Sequence, residues 1–286
     1  MLRPEQVDFF QEHGYVVVEN VLNDKQLKTS HSIIDEWIEH SRSLCEDDGV
    51  FVLESTHTAQ TPTLRRITEP AKHHAFFYDL VRLDTLLDIV EPLVGPNFRY
   101  HHSKLNFKDS GGGAAIEWHQ DFAFFPSTND DIVGCGIALD DNDRDNGPLL
   151  VIPGSHHGPI FDHHQNGTFV GAVPADRPEI DLSKAVPVVM KAGDMSIHHC
   201  RTLHASAVNS SPKSRRLLFY EYSAADAWPL DNAPTLDEYQ DTMLRGTFNG
   251  TFRTIPITCR LPFRDDPKTP IFNLQEPLKK RAFAGR

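Results

Sequence analysis

Residues 98–108 read FRYHHSKLNFK, residues 132–139 IVGCGIAL and residues 148–155 PLLVIPGS. Each is a short apolar or alternating run of strand-like composition. Between them lie DSGGGAA (109–115) and DDNDRDNG (140–147), built from the residues that favour turns. The pattern continues through AVPVVM (185–190), KAGD (191–194), MSIHH (195–199) and RRLLFYEYSA (215–224). Many short strands with such punctuation predict a β sandwich or barrel. Gly111–Gly113 is too short for a phosphate loop and reads as a turn or lid hinge.

Upstream the texture is helical. PEQVDFFQEH (4–13) has Pro4 in its first turn, and Gly14 stops it. YVVVENVL (15–22) reads as a strand. Asn23 caps a second helix, in which Leu27, Ile34, Trp37 and Ile38 recur at helical spacing. Residues 75–94, AFFYDLVRLDTLLDIVEPLV, form a helix or helix pair stopped by Gly95-Pro96. The expected architecture is mainly β: a double-sheet barrel with a helical layer on one side. One domain is expected, with a helical layer over about 1–97, a core over about 98–230 and a C-terminal extension over 231–286. Segment 155–185 reads as a loop over one mouth of the barrel. The tail from 256 onwards, with its Lys279-Lys280-Arg281 run, reads by default as solvated. A subunit contact or a substrate cover is the sharper alternative.

The 286 residues carry 28 Lys and Arg against 40 Asp and Glu, a formal charge of −12. That balance argues against nucleic acid or an anionic membrane surface as partner. No apolar run approaches the ~18 residues of a membrane span. No signal peptide is readable, and Cys45, Cys135, Cys200 and Cys259 show no CxxC pair. Reduced thiols in a cytoplasmic protein are the expectation. The 16 histidines are many for this length and invite a metal hypothesis.

The chemistry concentrates in Glu117-Trp118-His119-Gln120-Asp121-Phe122. On a strand, alternation puts His119 and Asp121 on one face. With one histidine from a distant strand they make the two-histidine, one-carboxylate facial triad of non-haem Fe(II) oxygenases. His204 can be that third ligand, and Ser206 lies two residues on. Arg215 offers a guanidinium fork that fits a carboxylate. The bland reading of His-x-Asp alone is a surface turn, and His198 and His199 read as strand residues beside the site. Histidines 156, 157, 163 and 164 lack the spacing of a zinc cluster.

These motifs resemble the phytanoyl-CoA dioxygenase superfamily of Fe(II)/2-oxoglutarate oxygenases, which includes ectoine hydroxylases. WHQDFAFFP (118–126), DNGPLLVIPGSHHG (145–158) and the run from Gly193 to Arg216 carry the resemblance, over roughly residues 5–230. It implies a double-stranded β-helix, or cupin-like jelly roll. It also implies Fe(II) on His119, Asp121 and His204, with O2 as oxidant. Arg215, with Ser206 beside it, is then the 2-oxoglutarate clamp, although its neighbour Arg216 competes for the role. His102, Lys104, Asn106 and Lys108 share one face of their strand. Asn106 and Lys108 are carried over as cosubstrate contacts, with Arg66 a looser match. His102, Lys104, Trp118 and Phe122 are the expected substrate contacts. Because Asp121 is retained, hydroxylation is expected rather than halogenation. The presence of Ile137, where acyl-CoA hydroxylases often carry tryptophan, counts against an acyl-CoA substrate. The expected reaction is hydroxylation of an unactivated carbon of a small molecule, with release of succinate and CO2. Desaturation or another oxidation of a natural product or phosphonate, or a non-catalytic cupin-like binding protein, are the alternatives. The expected partner is the small-molecule substrate, and a homodimer is admitted.

Overall fold

The computed structural model describes residues 1–110, 113–264, 266 and 269–283, so Gly111 and Gly112 of the glycine run lie outside it. The chain opens with α1 (Pro4–His13), β1 (Tyr15–Val18) and α2 (Asp24–Ser41). Next come β2 (Phe51–Leu53), β3 (Leu64–Thr68), α3 (Pro70–His73), α4 (Ala75–Leu80) and α5 (Asp84–Val94). Four strands follow: β4 (Phe98–Lys108), β5 (Ile116–His119), β6 (Ile132–Ala138) and β7 (Leu149–Val151). Within the expected loop, β8 (His164–Gln165) and β9 (Thr168–Phe169) form a small hairpin. The barrel continues with β10 (Val186–Val188), β11 (Met195–His199), β12 (His204–Ser206) and β13 (Arg215–Ala224). Last come α6 (Leu236–Gln240), β14 (Met243–Arg245) and α7 (Ile271–Gln275).

The larger sheet has the order β1-β11-β6-β13-β4-β3-β2, with β14 paired to β4. The smaller has the order β10-β7-β12-β5. Together they form a jelly roll with flanking helices, as expected. No helix among the described residues is long and apolar enough to cross a membrane.

Alternation along β13 decides where the core and the site fall. Leu218, Tyr220 and Tyr222 face the helices and pack with Ile34, Phe77, Leu86 and Val90, all buried. Each such side chain contributes on the order of 1.5–3 kcal/mol by leaving water. Tyr220 Oη donates to the Phe77 carbonyl at 2.8 Å, tying α4 to the sheet. Leu217, Phe219 and Glu221 face the barrel interior, opposite the matching face of β4. Beside those apolar side chains the interior holds buried charges, among them Lys108, Arg215 and Glu221. Buried charge is costly unless compensated, so it marks a site rather than a scaffold.

The helix pair is the alternative that 75–94 adopts, and the unread strands β2 and β3 have a local cause. The segment 75–94 divides because Leu83 takes an extended backbone (φ −61°, ψ 125°) between α4 and α5. Strands β2 and β3 went unread because runs of three and five residues carry too little periodicity. The tail is only partly solvated: Lys279, Lys280 and Arg281 are exposed, but Ile271, Phe272 and Leu278 are buried. Gln275 Oε1 accepts from Glu117 N at 3.0 Å, and Glu117 Oε2 accepts from Ala282 N at 2.7 Å. The extension is thereby latched to β5.

Candidate active site

β12 pairs β5 with His204 directly opposite His119. Asp121 follows at the start of a 3-10 turn, Asp121–Ala123, and not on the strand as expected. Extended Gln120 still carries the chain far enough for Asp121 to turn inward (φ −121°, ψ 128°). Gln120 is itself locked: its amide donates to the Pro159 and Arg201 carbonyls at 3.1 and 2.8 Å. One ligand atom from each of His119, Asp121 and His204 lies within 4.8 Å of the others. His119 Nδ1 donates to the Glu117 carbonyl (2.8 Å) and His204 Nδ1 to the Thr202 carbonyl (2.9 Å). Both Nε2 lone pairs are thus turned toward Asp121, at 3.8 and 3.7 Å. Backbone partners of this kind fix the tautomer a metal requires.

Protonation states agree with that donor set. Burial holds the His119 imidazole well below its ordinary pKa and that of His204 down to about 4. Burial alone would raise the Asp121 carboxyl, but Lys104, His204 and His198 outweigh it and hold it well below the usual range. Two neutral imidazoles and one carboxylate suit a divalent iron with three open positions.

The neighbouring end of the cavity is cationic. Arg215 is 2% exposed, faces inward from β13 and donates to the Gly147 carbonyl, while its Nε has no hydrogen-bond partner. Lys108, its register partner on β4, donates to the Ser206 carbonyl at 3.3 Å and to that of Ala207. Burial lowers Arg215 to about 10, and burial with Arg215 alongside puts Lys108 well below its usual value. Two buried cations with no carboxylate in hydrogen-bond reach among the described residues fit an anionic ligand. Arg216 points the other way and forms a two-pronged pair with Asp140 at 2.7 and 2.8 Å. Asn106 Oδ1 accepts from Arg66 Nε at 2.8 Å. These two, Ser206, His102 and Lys104 also line the same cavity of about 950 Å³.

Two expected substrate contacts are corrected. Trp118 packs with Ile152, Val173 and Leu203 on the opposite face of β5 from His119, as alternation requires of neighbouring residues. Phe122 is buried with Ile132, Cys200 and Ala227 and does not line the cavity. The aromatic wall is instead Phe124, Phe125, Phe219 and Phe272. The tail contributes Phe272, over which Arg66 lies 5.1 Å from the ring centre.

His198 was read as a bystander, yet its Nε2 lies 2.9 Å from Asp121 Oδ2 and donates to it. Alternation along MSIHH and the bare Gly134 opposite were the available signals: a Cβ at Gly134 would meet the His198 ring at 2.8 Å. Replacing His198 with alanine is expected to weaken Fe(II) binding by ~10- to 100-fold. Gly134→Ala, which pushes the ring off the carboxylate, is expected to do the same in direction. A chelator-competition titration reads both, and unchanged affinity would contradict the role.

Buried neutral histidines also set an acid limit. Burial lowers His163 to about 4 and His199 to about 3. An unfolded histidine titrates near ~6.5. Between those values the unfolded chain binds more protons, so stability falls as pH drops. Two such groups give a slope of ~3 kcal/mol per pH unit between pH ~6 and ~4. Urea midpoints of the metal-free protein should therefore fall steeply from pH ~6.5 to ~5 and stay nearly level above ~7.

Residues 10–217 match the family model described as phytanoyl-CoA dioxygenase (PhyH). A probable alpha-ketoglutarate-dependent hypophosphite dioxygenase of Stutzerimonas stutzeri is 31% identical over 263 residues, covering 91% of this chain and 92% of its own. The peroxisomal phytanoyl-CoA dioxygenase of Rattus norvegicus is 26% identical, over 79% of this chain and 70% of its own. Among solved structures, EctD from S. alaskensis with 2-oxoglutarate and 5-hydroxyectoine superposes with a TM-score of 0.68 at 23% identity. It covers 80% of this chain and 78% of its own, a likeness of fold.

Proposed function

This chain belongs to the phytanoyl-CoA dioxygenase family, and from that premise we propose how its residues divide the work. The protein is an Fe(II)- and 2-oxoglutarate-dependent dioxygenase acting on a small molecule. His119, Asp121 and His204 hold the iron through Nε2, a carboxylate oxygen and Nε2. Arg215 receives the far carboxylate of 2-oxoglutarate, with Lys108 and Ser206 beside it. The observation that carries this reading is the inward Arg215, buried with its Nε unpartnered, in one cavity with the triad. Bound there, iron with 2-oxoglutarate supplies oxidative chemistry in which the cosubstrate becomes succinate and CO2 and oxygen enters a substrate bond. The chain's own residues orient both reactants and exclude water, with Phe272 and the latched tail closing one side.

The substrate is a small polar molecule with an anionic group. Lys104 and Arg66 line the cavity beyond the triad, and Lys104 Nζ stands 4.0 Å from Asp121 Oδ1. The hypophosphite named for the S. stutzeri relative is an anion, which supports this class. A cavity of about 950 Å³ has room for the cosubstrate and an organic molecule larger than hypophosphite. Anaerobic titration of the Fe(II)-loaded protein with 2-oxoglutarate tests the reading. A weak visible charge-transfer band, followed by substrate-dependent succinate release in air, is expected. A folded, iron-loaded protein showing no band would overturn it.

A further inference from the structure

β4 and β13 fall out of register between Glu221 and Tyr222: Glu221 pairs with His102 and Tyr222 with Tyr100, leaving His101 as the extra residue. A bulge of this kind re-aims side chains. Successive strand residues would otherwise point to opposite faces. Here His101 and His102 both enter the cavity and both pack on Phe125, with ring centres 4.8 and 5.4 Å from it. Their Nδ1 atoms lie 2.7 Å apart. His102 Nε2 lies 3.2 Å from Glu221 Oε1, which also accepts from Lys104 Nζ at 2.9 Å.

The tautomers follow from these contacts. Glu221 is buried among cations and ionised, so it only accepts, and His102 carries its proton on Nε2. His102 Nδ1 is then a lone pair, and the nitrogen facing it, His101 Nδ1, must donate. The remaining lone pair sits on His101 Nε2. Among the described residues that nitrogen makes no hydrogen bond.

We propose that Glu221 and His102 act as a tautomer relay that fixes His101 as a hydrogen-bond acceptor, selecting substrates that carry an N–H or O–H donor. The proposal rests on the oxygenase reading and deepens it by naming the second group of the substrate. Position along β4 sets the geometry. Lys108 marks the cosubstrate end, Lys104 lies beside the iron ligand and His101 lies three residues further on, ~10 Å away at strand rise. The substrate is therefore bifunctional: an anionic group near Lys104 and Arg66, and a donor a few bonds away at His101. Burial and the nearby Arg99 hold the His101 imidazole well below its ordinary pKa, in keeping with a neutral acceptor. The same three side chains could gather a metal ion, but Lys104 already occupies the Glu221 oxygen they would use.

Long-range proton–nitrogen NMR on histidine-labelled, Zn(II)-loaded protein reads the tautomers without turnover. His101 protonated on Nδ1 and His102 on Nε2 is the expected result. A proton on His101 Nε2, which would mean a doubly protonated His102, overturns the relay. Recognition is tested by calorimetry with two isosteric probes on the Zn(II)- and 2-oxoglutarate-loaded protein. 3-Hydroxypropylphosphonate should bind ~10-fold more tightly than butylphosphonate. That preference should vanish in His101→Phe, which keeps the stacking on Phe125, and shrink in His102→Phe. Equal binding of the two probes, or binding of neither, overturns the selective role. A missing charge-transfer band would instead overturn the oxygenase reading, so the two failures are distinguishable.

Discussion

Replacing Asp121 with alanine should weaken Fe(II) binding by ~10²–10⁴-fold and abolish substrate-dependent succinate release. Asp121 is the hub of the site. His119 and His204 reach it at 3.8 and 3.7 Å, His198 donates to it at 2.9 Å, and Lys104 stands 4.0 Å away. It supplies the only negative charge among the three ligands. Removing one partner of a buried, hydrogen-bonded charge pair costs about 3–5 kcal/mol, and ~1.4 kcal/mol is tenfold in affinity. Two neutral imidazoles would remain, with Lys104 left to its pair with Glu221 at 2.9 Å. Competition against a fluorescent chelator measures the loss, with circular dichroism confirming the fold. Near-native iron affinity in folded Asp121→Ala protein would show that the triad is not the iron site.

The site was legible where side-chain type and strand alternation suffice. His102, Lys104, Asn106 and Lys108 all line the cavity, as one face of β4 requires. Alternation on β13 sends one of Arg215 and Arg216 inward; Arg215 lines the cavity and Arg216 pairs with Asp140. Trp118 was misplaced although the same rule excluded it: it cannot share a face with His119. What stayed hidden depends on departures from regular geometry or on partners distant in sequence. The bulge at His101 leaves no mark in composition, yet it decides which imidazoles enter the cavity. Glu221 is a single charge in an apolar run, and its role depends on its register partner on β4. The tail's role rests on Gln275 and Ala282 meeting Glu117 across more than 150 residues of chain, a separation no local pattern encodes.

The fold divides along the same line. Helix starts with a local signal were readable: Asn23 accepts from Gln26 N at 3.0 Å, as its position predicted. The long strands β4 and β13 matched their sequence runs from end to end. Strand β3 is held by pairing to β4 and β2 by pairing to β3, rather than by their own propensity, and β3 brings Arg66 to Asn106. A cavity-lining cation therefore arrives through an element that the sequence barely announces.

Arg215→Ala should separate stability from function in opposite directions. Arg215 and Lys108 are buried side by side, and burial lowers both from their ordinary values. Without an anion their charges repel and lack a full set of partners, a cost to the unliganded fold. Removing one relieves that repulsion, which offsets the cavity penalty or exceeds it. Unliganded Arg215→Ala should thus unfold at a urea midpoint equal to or above wild type. The same change removes the two-pronged partner of the 2-oxoglutarate carboxylate. Truncating one side of a buried charge pair costs about 2–5 kcal/mol, so the Kd for 2-oxoglutarate should rise ~30- to several-thousand-fold. Arg215→Lys, which keeps the charge without the fork, should fall between. Ligand linkage gives a second readout. At a 2-oxoglutarate concentration ~100 times the wild-type Kd, the wild type gains ~2.7 kcal/mol of stability and the alanine variant ~0.9 kcal/mol or less. An Arg215→Ala protein that is destabilised yet binds 2-oxoglutarate normally would make Arg215 a structural residue and move the clamp to Lys108 or Arg66.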